Sequence, residues 1–188
     1  MFIRSGRLFL RPAFPEDSRE LYEAICDAGI VSMLASAPWP YLRQDAEAFC
    51  AAPVDPLAPR FVVTLPGAKG APIIGTVGFK RADGGLDMGF WIARDHWGRG
   101  YATEAGRAAL EVVRALGHRR VQADHYLDNP ASGRVLRKLG FRETGEISPT
   151  FCRARGGELV LARRYGLELD AAEADAEVAD QRDRMRAA

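Results

Sequence analysis

Apolar and polar residues recur with two different periods along this chain, and each period predicts one kind of secondary structure. Alternation with a period of two predicts strands, at residues 7–12, 61–65, 73–79, 86–92, 121–127, 141–146 and 159–167. Spacings of three and four residues predict helices, at residues 15–28, 44–52, 98–116 and 129–139. The order of these elements predicts an α+β fold with a mixed sheet.

Glycine and proline residues mark the connections between these elements. The segments PGAKGAP and ADGG separate the three strands between residues 61 and 92, which predicts an antiparallel meander. An irregular loop at residues 36–41 joins the first two helices, and a stiff proline-rich connector at residues 53–59 leads to the meander. Gly117 is placed to end the longest helix, and Asn129, which precedes a proline, is placed to start the next one.

Residues 170–188 differ from the rest of the chain in composition. They contain seven alanines, six acidic residues and three arginines, and Val178 and Met185 are their only larger apolar residues. Such a segment cannot bury an apolar face, so we expect a helical or disordered extension, with a partner-binding helix as the alternative. We therefore expect one domain, at residues 1–169, followed by this charged extension.

The overall composition excludes several classes of protein. Apolar residues make up 47% and charged residues 27% of the 188 residues, which is typical of a folded globular protein. The net charge of +1 gives no overall attraction to nucleic acid or to an anionic membrane, and no segment approaches the roughly 18 apolar residues of a membrane span. The three cysteines lack the spacing of a metal site or of a disulfide framework. We therefore expect a cytoplasmic protein with no metal, no membrane partner and no direct nucleic-acid partner.

The segment from Phe90 to Ala105 is the first candidate for a binding site. A predicted strand ends at Ile92, and the sequence WGRGY, with glycines at 98 and 100, then leads into the longest predicted helix. Free backbone N–H groups at the positive end of a helix dipole are typical of a phosphate or pyrophosphate site. The patterns of a Walker A loop and of a dinucleotide fingerprint are absent, and the alternative is a tight strand-to-helix turn.

A second motif, NPASGRVLRKLGF, runs from Asn129 to Phe141. Together with WGRGYATEA, it resembles the GNAT N-acetyltransferase superfamily, especially the branch that is similar to ribosomal-protein N-terminal alanine acetyltransferases. The resemblance extends from the opening RLFLRP, through Trp39 and the DMGFWI strand, to about residue 167. It implies a GNAT-like α+β fold, in which a mixed, mostly antiparallel sheet is splayed around acetyl-CoA and has helices on both faces.

In that family the pattern Q/R-x-x-G-x-G/A binds the pyrophosphate of acetyl-CoA through backbone N–H groups. Here the pattern falls on residues 95–100, and Asp95 stands where the family has Gln or Arg. This difference leaves the main-chain contacts in place but removes a cation or an amide. The resemblance implies that acetyl-CoA, as co-substrate, contacts Phe90, Trp91, Ile92, His96, Trp97, Gly98, Arg99, Gly100, Tyr101, Ala102, Asn129 and Ser132.

The resemblance also implies that the sheet opens between the strands at 86–92 and 121–127, with pantetheine in the gap. Gly89 interrupts the first of these strands as a bulge would, and a bulge turns a backbone N–H out of the ladder. A free N–H near Phe90 or Trp91 is therefore a candidate for holding the thioester carbonyl and the oxyanion that forms during attack. The alternative is that Gly89 relieves side-chain crowding.

Transfer of an acetyl group requires a neutral amine, whereas amines are mostly protonated near pH 7. Asp87 is the first candidate for the base, directly or through water, because it stands where many GNAT enzymes carry Glu. His125 is the second candidate, since an imidazole has an intrinsic pKa suited to proton transfer. The alternatives are a solvated carboxylate at a strand end and a histidine that only packs.

The coenzyme A thiolate that leaves also needs a proton or other stabilisation. In the resembling branch the serine of N-x-x-S is placed for this role, and here that serine is Ser132. With Asn129 as N-cap, Ser132 falls in the first helical turn, so a capping hydrogen bond is the alternative. The amide of Asn129 is free to bond pantetheine while its oxygen caps the helix.

Trp39 and Tyr41 lie in the loop that walls the acceptor site in GNAT proteins. Their rigid aromatic rings are candidates for framing a peptide terminus. The alternative is that both rings pack over an edge of the core.

The leading hypothesis for function is direct transfer of acetyl from acetyl-CoA to a primary amine, with a peptide or protein N-terminus favoured as acceptor. A small-molecule amine is the alternative acceptor. A GNAT-fold module that binds acyl-CoA without turnover is a further alternative, which Asp95 supports. We expect a monomer or a homodimer.

Overall fold

The structure is a computed structural model, and it describes residues 1–68 and 70–169. Within these residues the chain forms eight strands, β1 (Ile3–Ser5), β2 (Leu8–Arg11), β3 (Arg60–Thr64), β4 (Ile73–Ala82), β5 (Gly85–Ile92), β6 (Arg120–Tyr126), β7 (Arg142–Cys152) and β8 (Glu158–Glu168). It also forms five α-helices, α1 (Ser18–Ile25), α2 (Ala28–Val31), α3 (Arg43–Ala51), α4 (Tyr101–Ala115) and α5 (Pro130–Lys138). None of the described helices is long and apolar enough to cross a bilayer. The predicted extension at residues 170–188 lies outside the described residues.

All eight strands belong to one sheet, in the spatial order β1-β2-β3-β4-β5-β6-β8-β7. Neighbouring strands are antiparallel except for β5 and β6, which run parallel. A parallel pair needs a long crossover connection, and α4 supplies it. The predicted mixed, mostly antiparallel sheet is therefore confirmed.

The strands β5 and β6 are paired only at one end. Leu86 lies opposite Val121 and Asp87 lies opposite Gln122, and the described strands pair at no further residue. On its other side, β5 stays paired with β4 along its whole length. The sheet therefore opens between β5 and β6 toward the carboxyl ends of both strands, as the resemblance implied.

Apolar side chains form a cluster on each face of the sheet. On one face, Val113 of α4 and Leu136 of α5 are fully buried. The two helices approach closely because Gly106 of α4 is small, and a Cβ there would lie 2.7 Å from Leu139. The cluster on the other face, under α1 and α3, contains Leu21, Ile25, Ile30, Val31, Tyr41, Ala46, Cys50, Val62, Ile73 and Trp91. Helices thus cover both faces and border the opening on each side.

The predicted helix at 15–28 is divided in the structure. The helix α1 ends at Ile25, and α2 begins at Ala28. The carboxylate of Asp27 accepts hydrogen bonds from the N–H groups of Gly29 and Ile30, at 2.8 and 3.2 Å. Because an aspartate in this position is a strong N-cap, the chain starts a new helix instead of continuing the first one.

The last hairpin is longer than predicted. The expected strand at 141–146 continues as β7 to Cys152. The pairing of β7 with β8 shifts register between Glu143 and Ile147, where Gly145 has a φ of 87°. This irregularity interrupts the alternation of residues, so the sequence pattern predicted an early end of the strand.

The predicted bulge at Gly89 is wrong. The strands β4 and β5 pair without interruption, and Gly89 lies directly opposite Gly78. A Cβ at Gly89 would meet no atom within 4 Å, so crowding inside the protein does not require this glycine either. The absence of a side chain instead leaves the backbone of β5 exposed at Gly89.

Candidate active site

A cleft of about 640 Å³ lies on the α1 and α3 side of the sheet, at the opening between β5 and β6. Gly78 and Gly89 line its floor, and the loop at residues 33–38 lines its wall. The residues predicted from the sequence that line this cleft are Tyr41, Asp87, Phe90, Trp91, His125, Asn129 and Ser132. The structure thus brings together predicted residues from both sides of the opening.

The edge of β5 that faces the opening carries free backbone groups. The N–H of Ala93 donates to the carbonyl of Ile74 at 2.8 Å, and bonding to the partner strand alternates along an antiparallel pair. Trp91 therefore bonds to β4, whereas Phe90 and Ile92 direct their N–H and C=O groups toward β6, which has diverged. The carbonyl of Ile92 accepts a hydrogen bond from the indole of Trp97 instead. Of the two positions predicted for an oxyanion-binding N–H, Phe90 has the suitable orientation and Trp91 does not.

The loop between β5 and α4 presents unpaired N–H groups at the start of the longest described helix. Gly98 and Gly100 have φ values of 74° and 80°, in the left-handed region that favours glycine. A Cβ at Gly98 would meet no atom within 4 Å, and the N–H groups of residues 98–103 have no acceptor in the described part of the chain. This loop is the predicted pyrophosphate site, and its backbone geometry fits an anion.

An ion pair removes a charge that would oppose an anion at this loop. Glu104 lies in the first turn of α4, and its carboxylate accepts hydrogen bonds from the backbone N–H and the Nε of Arg7, at 2.7 and 2.8 Å. Arg7 also donates to the carbonyl of Arg99 at 3.0 Å and lies over the ring of Tyr101. Arg7 therefore neutralises Glu104 and braces the glycine loop. No sequence pattern indicated this role, because 97 residues separate the two partners.

The predicted side chains before the glycines lie in different environments. Trp97 donates its indole N–H to the carbonyl of Ile92 at 2.5 Å and is otherwise largely exposed. The Nδ1 of His96 is buried and has no partner among the described residues. Asp95 is exposed and adds a negative charge at the rim. The loop therefore offers main-chain donors, and the exposed side chain of Arg99 adds a cation beside them.

Asp87 lies at the last pair of residues before β5 and β6 separate. Its carboxylate is 3.0 Å from the Nζ of Lys80 on β4. Burial raises the pKa of Asp87 above its usual range, and the attraction of Lys80 offsets only part of this effect. The negative charge of Asp124 also raises the pKa of Asp87. A carboxylate with a raised pKa is a stronger proton acceptor than an ordinary surface aspartate.

Asp124 is a cleft residue that the sequence analysis did not identify. Its carboxylate accepts hydrogen bonds from the Nε and Nη2 of Arg164, at 3.1 and 3.0 Å. Asp87 pairs with Gln122, two residues before Asp124, so the two carboxylates share a face of the sheet. The alternation of residues within β6 places Asp124 and His125 on opposite faces of the sheet. This alternation is the sequence pattern from which the position of Asp124 could have been predicted.

His125 borders the cleft from the α5 side of the opening, and both of its ring nitrogens are engaged. The Nδ1 lies 2.8 Å from the carbonyl of Tyr126, and the Nε2 lies 3.3 Å from the hydroxyl of Tyr165. A Cβ at Gly133 would lie 2.6 Å from the Nε2, so α5 packs directly on the ring. This geometry leaves no ring nitrogen free for a substrate.

The start of α5 places a hydroxyl at the cleft. Asn129 caps the helix, since its Oδ1 accepts a hydrogen bond from the N–H of Ser132 at 3.3 Å. The Nδ2 of Asn129 donates to the Oγ of Ser132 at 3.0 Å. Because the Oγ accepts this bond, the hydroxyl proton of Ser132 is free to be donated to a group in the cleft.

Tyr41 and Trp39, which were predicted together, lie in different environments. Tyr41 is 5% exposed, lines the cleft and belongs to the apolar cluster under α1 and α3. Burial raises the pKa of Tyr41 to about 12, so its hydroxyl is neutral at pH 7. Trp39 is 44% exposed and does not line the cleft. Tyr41 is therefore the one of the two that is placed to contact an acceptor.

Comparison with families of known proteins covers most of this fold. A model of the acetyltransferase (GNAT) domain matches residues 7–142. The chain belongs to the GNAT acetyltransferase family. The matched part of this GNAT domain includes the glycine loop, Asp87 and the whole of α5, so the predicted family is confirmed.

Curated relatives match the GNAT chain over a shorter stretch. The uncharacterized N-acetyltransferase YoaA of Bacillus subtilis is 35% identical over 83 residues, which cover 40% of this chain and 45% of that protein. The chain spans less than half the length of the curated relatives it matches.

Solved GNAT structures match most of the chain. Spermidine N-acetyltransferase from Vibrio cholerae, in complex with CoA and spermine, is 20% identical, with a TM-score of 0.71 and coverage of 88% of this chain and 97% of that one. Ribosomal-protein-S5-alanine acetyltransferase from Vibrio fischeri is 16% identical, with a TM-score of 0.74 and coverage of 90% and 97%. At these identities the likeness concerns the fold, and it confirms the predicted GNAT fold.

Proposed function

We propose that this GNAT protein is an enzyme that transfers acetyl from acetyl-CoA directly to a primary amine, and that the amine is the N-terminal amino group of a peptide or protein. The observation that carries the proposal is the opening between β5 and β6. A loop of free N–H groups follows β5, and a cleft with a carboxylate and a hydroxyl lies beside the opening. The site thus offers separate groups for binding the coenzyme, for accepting a proton and for donating a proton.

In this proposal, main-chain groups hold the coenzyme. The pyrophosphate binds the N–H groups of residues 98–103, where the helix dipole favours negative charge. Pantetheine lies between β5 and β6 and bonds to the free edge of β5. The N–H of Phe90 donates to the thioester carbonyl, and this bond strengthens as the carbonyl oxygen becomes an oxyanion.

Two side chains move the protons. Asp87 takes a proton from the acceptor ammonium, directly or through water, and the neutral amine then attacks the carbonyl carbon. The C–N bond forms and the C–S bond breaks. The departing thiolate takes a proton from the hydroxyl of Ser132, and the second proton lost by the attacking nitrogen returns to the Ser132 oxygen. His125 is the second candidate for the base, and the engagement of both its ring nitrogens supports Asp87 instead.

The pKa of the amine and the charge of the cleft support the proposed acceptor and its alternative. An α-amine has a reference pKa of about 8 and a lysine amine one of about 10.4. A carboxylate base therefore deprotonates an N-terminal ammonium more readily than a lysine ammonium. The GNAT resemblance also favours this acceptor. A small-molecule polyamine is the second candidate, because the carboxylate of Asp45 lines the cleft together with the ion-paired carboxylates of Asp87 and Asp124.

The proposal extends to location and assembly. The three cysteines, Cys26, Cys50 and Cys152, are free thiols, which accords with a reducing cytoplasm. We also propose that the protein is a monomer or a homodimer.

The test is release of free coenzyme A thiol from acetyl-CoA in the presence of peptides, lysine side chains and small amines that include spermidine. We expect turnover with free peptide N-termini and none with the same peptides carrying an acetylated N-terminus. Fastest turnover with spermidine would select the polyamine alternative. Tight acetyl-CoA binding without thiol release from any amine would show a binding module instead of an enzyme.

A further inference from the structure

The two halves of the sheet, which separate after Asp87 and Gln122, are joined again by loops at the other end of the cleft. The N–H of Arg153, in the turn between β7 and β8, donates to the carbonyl of Ala35 at 3.0 Å. In the same turn, the Nε of Arg155 donates to the carbonyl of Ser32 at 2.9 Å. The loop after α2 is therefore tied directly to the tip of the last hairpin.

Arg155 joins three segments that are far apart in the sequence. Besides its bond to Ser32, it forms a two-pronged ion pair with Asp128, with Nη1 and Nη2 at 2.7 and 3.2 Å from the carboxylate oxygens. Its Nη2 also lies 3.4 Å from the sulfur of Met33, and its guanidinium lies over the ring of Tyr126. We call Arg155, Ser32 and Asp128 the arginine clasp.

The clasp connects the acceptor wall to the place where the coenzyme reacts. Residues 33–38, which follow Ser32, form the wall of the cleft. Asp128, on the opposite side, directly precedes Asn129, the residue that caps α5 and holds Ser132. The distance across the cleft is therefore fixed on both sides by one guanidinium.

The clasp is stronger than an ordinary surface ion pair. Exposed pairs contribute little because water screens them and long side chains lose entropy. The side chain of Arg155 is 21% exposed and that of Asp128 is 52% exposed. The guanidinium binds this carboxylate with two nitrogens while a third donates to a carbonyl. Arg81, which is paired with Asp55 away from the cleft, is 60% exposed and has no such carbonyl partner in the described chain.

We propose that Arg155 is a positioning residue that determines acceptor specificity. By holding the loop at 33–38 against the last hairpin, it fixes the position of this wall of the cleft. The fixed wall then accepts an amine with a small group on the carbon next to the nitrogen, such as an N-terminal glycine or alanine, and excludes one with a β-branched side chain or a ring there. This inference rests on the proposed transfer of acetyl to an amine, and it adds the shape of the acceptor.

The test compares slender and branched acceptors in matched pairs. The pairs are n-butylamine with cyclohexylamine, and two tetrapeptide amides that differ only in beginning with glycine or valine. We expect the parent protein to prefer the first member of each pair. Arg155→Ala should raise the relative kcat/KM of the branched member by about fivefold to tenfold, as expected for a residue coupled to a site that it does not touch. The affinity for acetyl-CoA, measured by calorimetry, should not change.

Three further variants separate this role from a general loss of stability. Arg155→Lys keeps the charge without the two-pronged contact, so it should shift the preference in the same direction by a smaller factor. Asp128→Asn weakens the clasp while keeping its shape, and it serves if Arg155→Ala does not fold. Arg81→Ala removes a comparable ion pair elsewhere and should leave the preference as in the parent.

An unchanged preference in folded Arg155→Ala and Asp128→Asn would overturn the role of the clasp and leave the proposed function intact. Loss of acetyl-CoA affinity in both variants would also overturn it, since the clasp would then act on the coenzyme. Absence of turnover by the parent with all four amines would overturn the proposed function first, and the inference with it.

Discussion

In the proposed mechanism, the coenzyme side and the acceptor side of the site are built from different parts of the polypeptide. The coenzyme side consists of backbone N–H groups, at residues 98–103 and at Phe90, which are free because of glycine conformation and strand separation. The acceptor side consists of side chains from distant segments, with Tyr41 and Asp87 as examples. Coenzyme binding therefore depends on local backbone shape, whereas acceptor choice and proton transfer depend on contacts between separate elements.

The largest expected effect is on the acceptor side. Asp87→Asn keeps the shape of the side chain and removes the base, so kcat should fall by about a hundredfold to ten-thousandfold near pH 7. Because its pKa is raised, the carboxylate of Asp87 takes up a proton at a higher pH than an ordinary aspartate does. As the pH falls, the parent should therefore lose activity at a correspondingly higher pH. The pH profile of kcat/KM measures both effects.

The deficit of Asp87→Asn should narrow as pH rises, because more of the amine then arrives neutral. Coenzyme affinity should match the parent, since no main-chain donor is changed. A variant that is equally slow at every pH would indicate lost positioning, and one as fast as the parent would transfer the role to His125 or to water.

The next effect concerns the coenzyme side. Gly100 has a φ of 80°, and a β-branched residue there must either bear the strain or move the loop. Gly100→Val should therefore weaken acetyl-CoA binding by about tenfold or more, as measured by calorimetry. Gly117→Val is the matched control, since Gly117 has a φ of 87° at the other end of α4.

Both glycine variants should be less stable to heat, and only Gly100→Val should bind the coenzyme more weakly. Equal affinities in the two folded variants would contradict a backbone-built pyrophosphate site. Coenzyme binding would then not depend on the backbone conformation at Gly100.

The smallest effect belongs to Ser132, which lies where the two sides meet. Ser132→Ala should lower kcat by about tenfold with little change in coenzyme affinity, because the hydroxyl acts mainly as charge develops on sulfur. Ser132→Thr keeps a hydroxyl and should recover part of the rate. Unchanged turnover in Ser132→Ala would leave this serine with only its bonds to Asn129.

The same division explains how much the sequence predicted. The glycine loop, the start of α4 and the cap at Asn129 were predicted because each depends on residues that are neighbours in the chain. The neutralisation of Glu104 by Arg7 was missed because its partners are 97 residues apart, and the bond from Arg155 to Ser32 spans 123 residues. A local sequence pattern gives no information on contacts between residues that are so far apart in the chain.

The prediction at Gly89 shows a second limit. The sequence correctly indicated an unusual position and a free N–H nearby, but it assigned the wrong cause. The N–H of Phe90 is free because β6 diverges, and β5 itself is regular. A missing side chain and a missing strand partner have the same effect on a backbone group, and only the structure distinguishes them.

The opening between β5 and β6 also links the coenzyme to the lifetime of the protein. In the proposed binding mode, a pantetheine chain bonded along β5 would act as an added strand. Its binding would then stabilise the folded protein by about 2.7 kcal/mol when the coenzyme is present at 100 times its Kd. When the coenzyme is scarce, the unpaired edges of β5 and β6 are available to proteases and to mispairing with other strands. The abundance of the protein would then follow the supply of its own co-substrate.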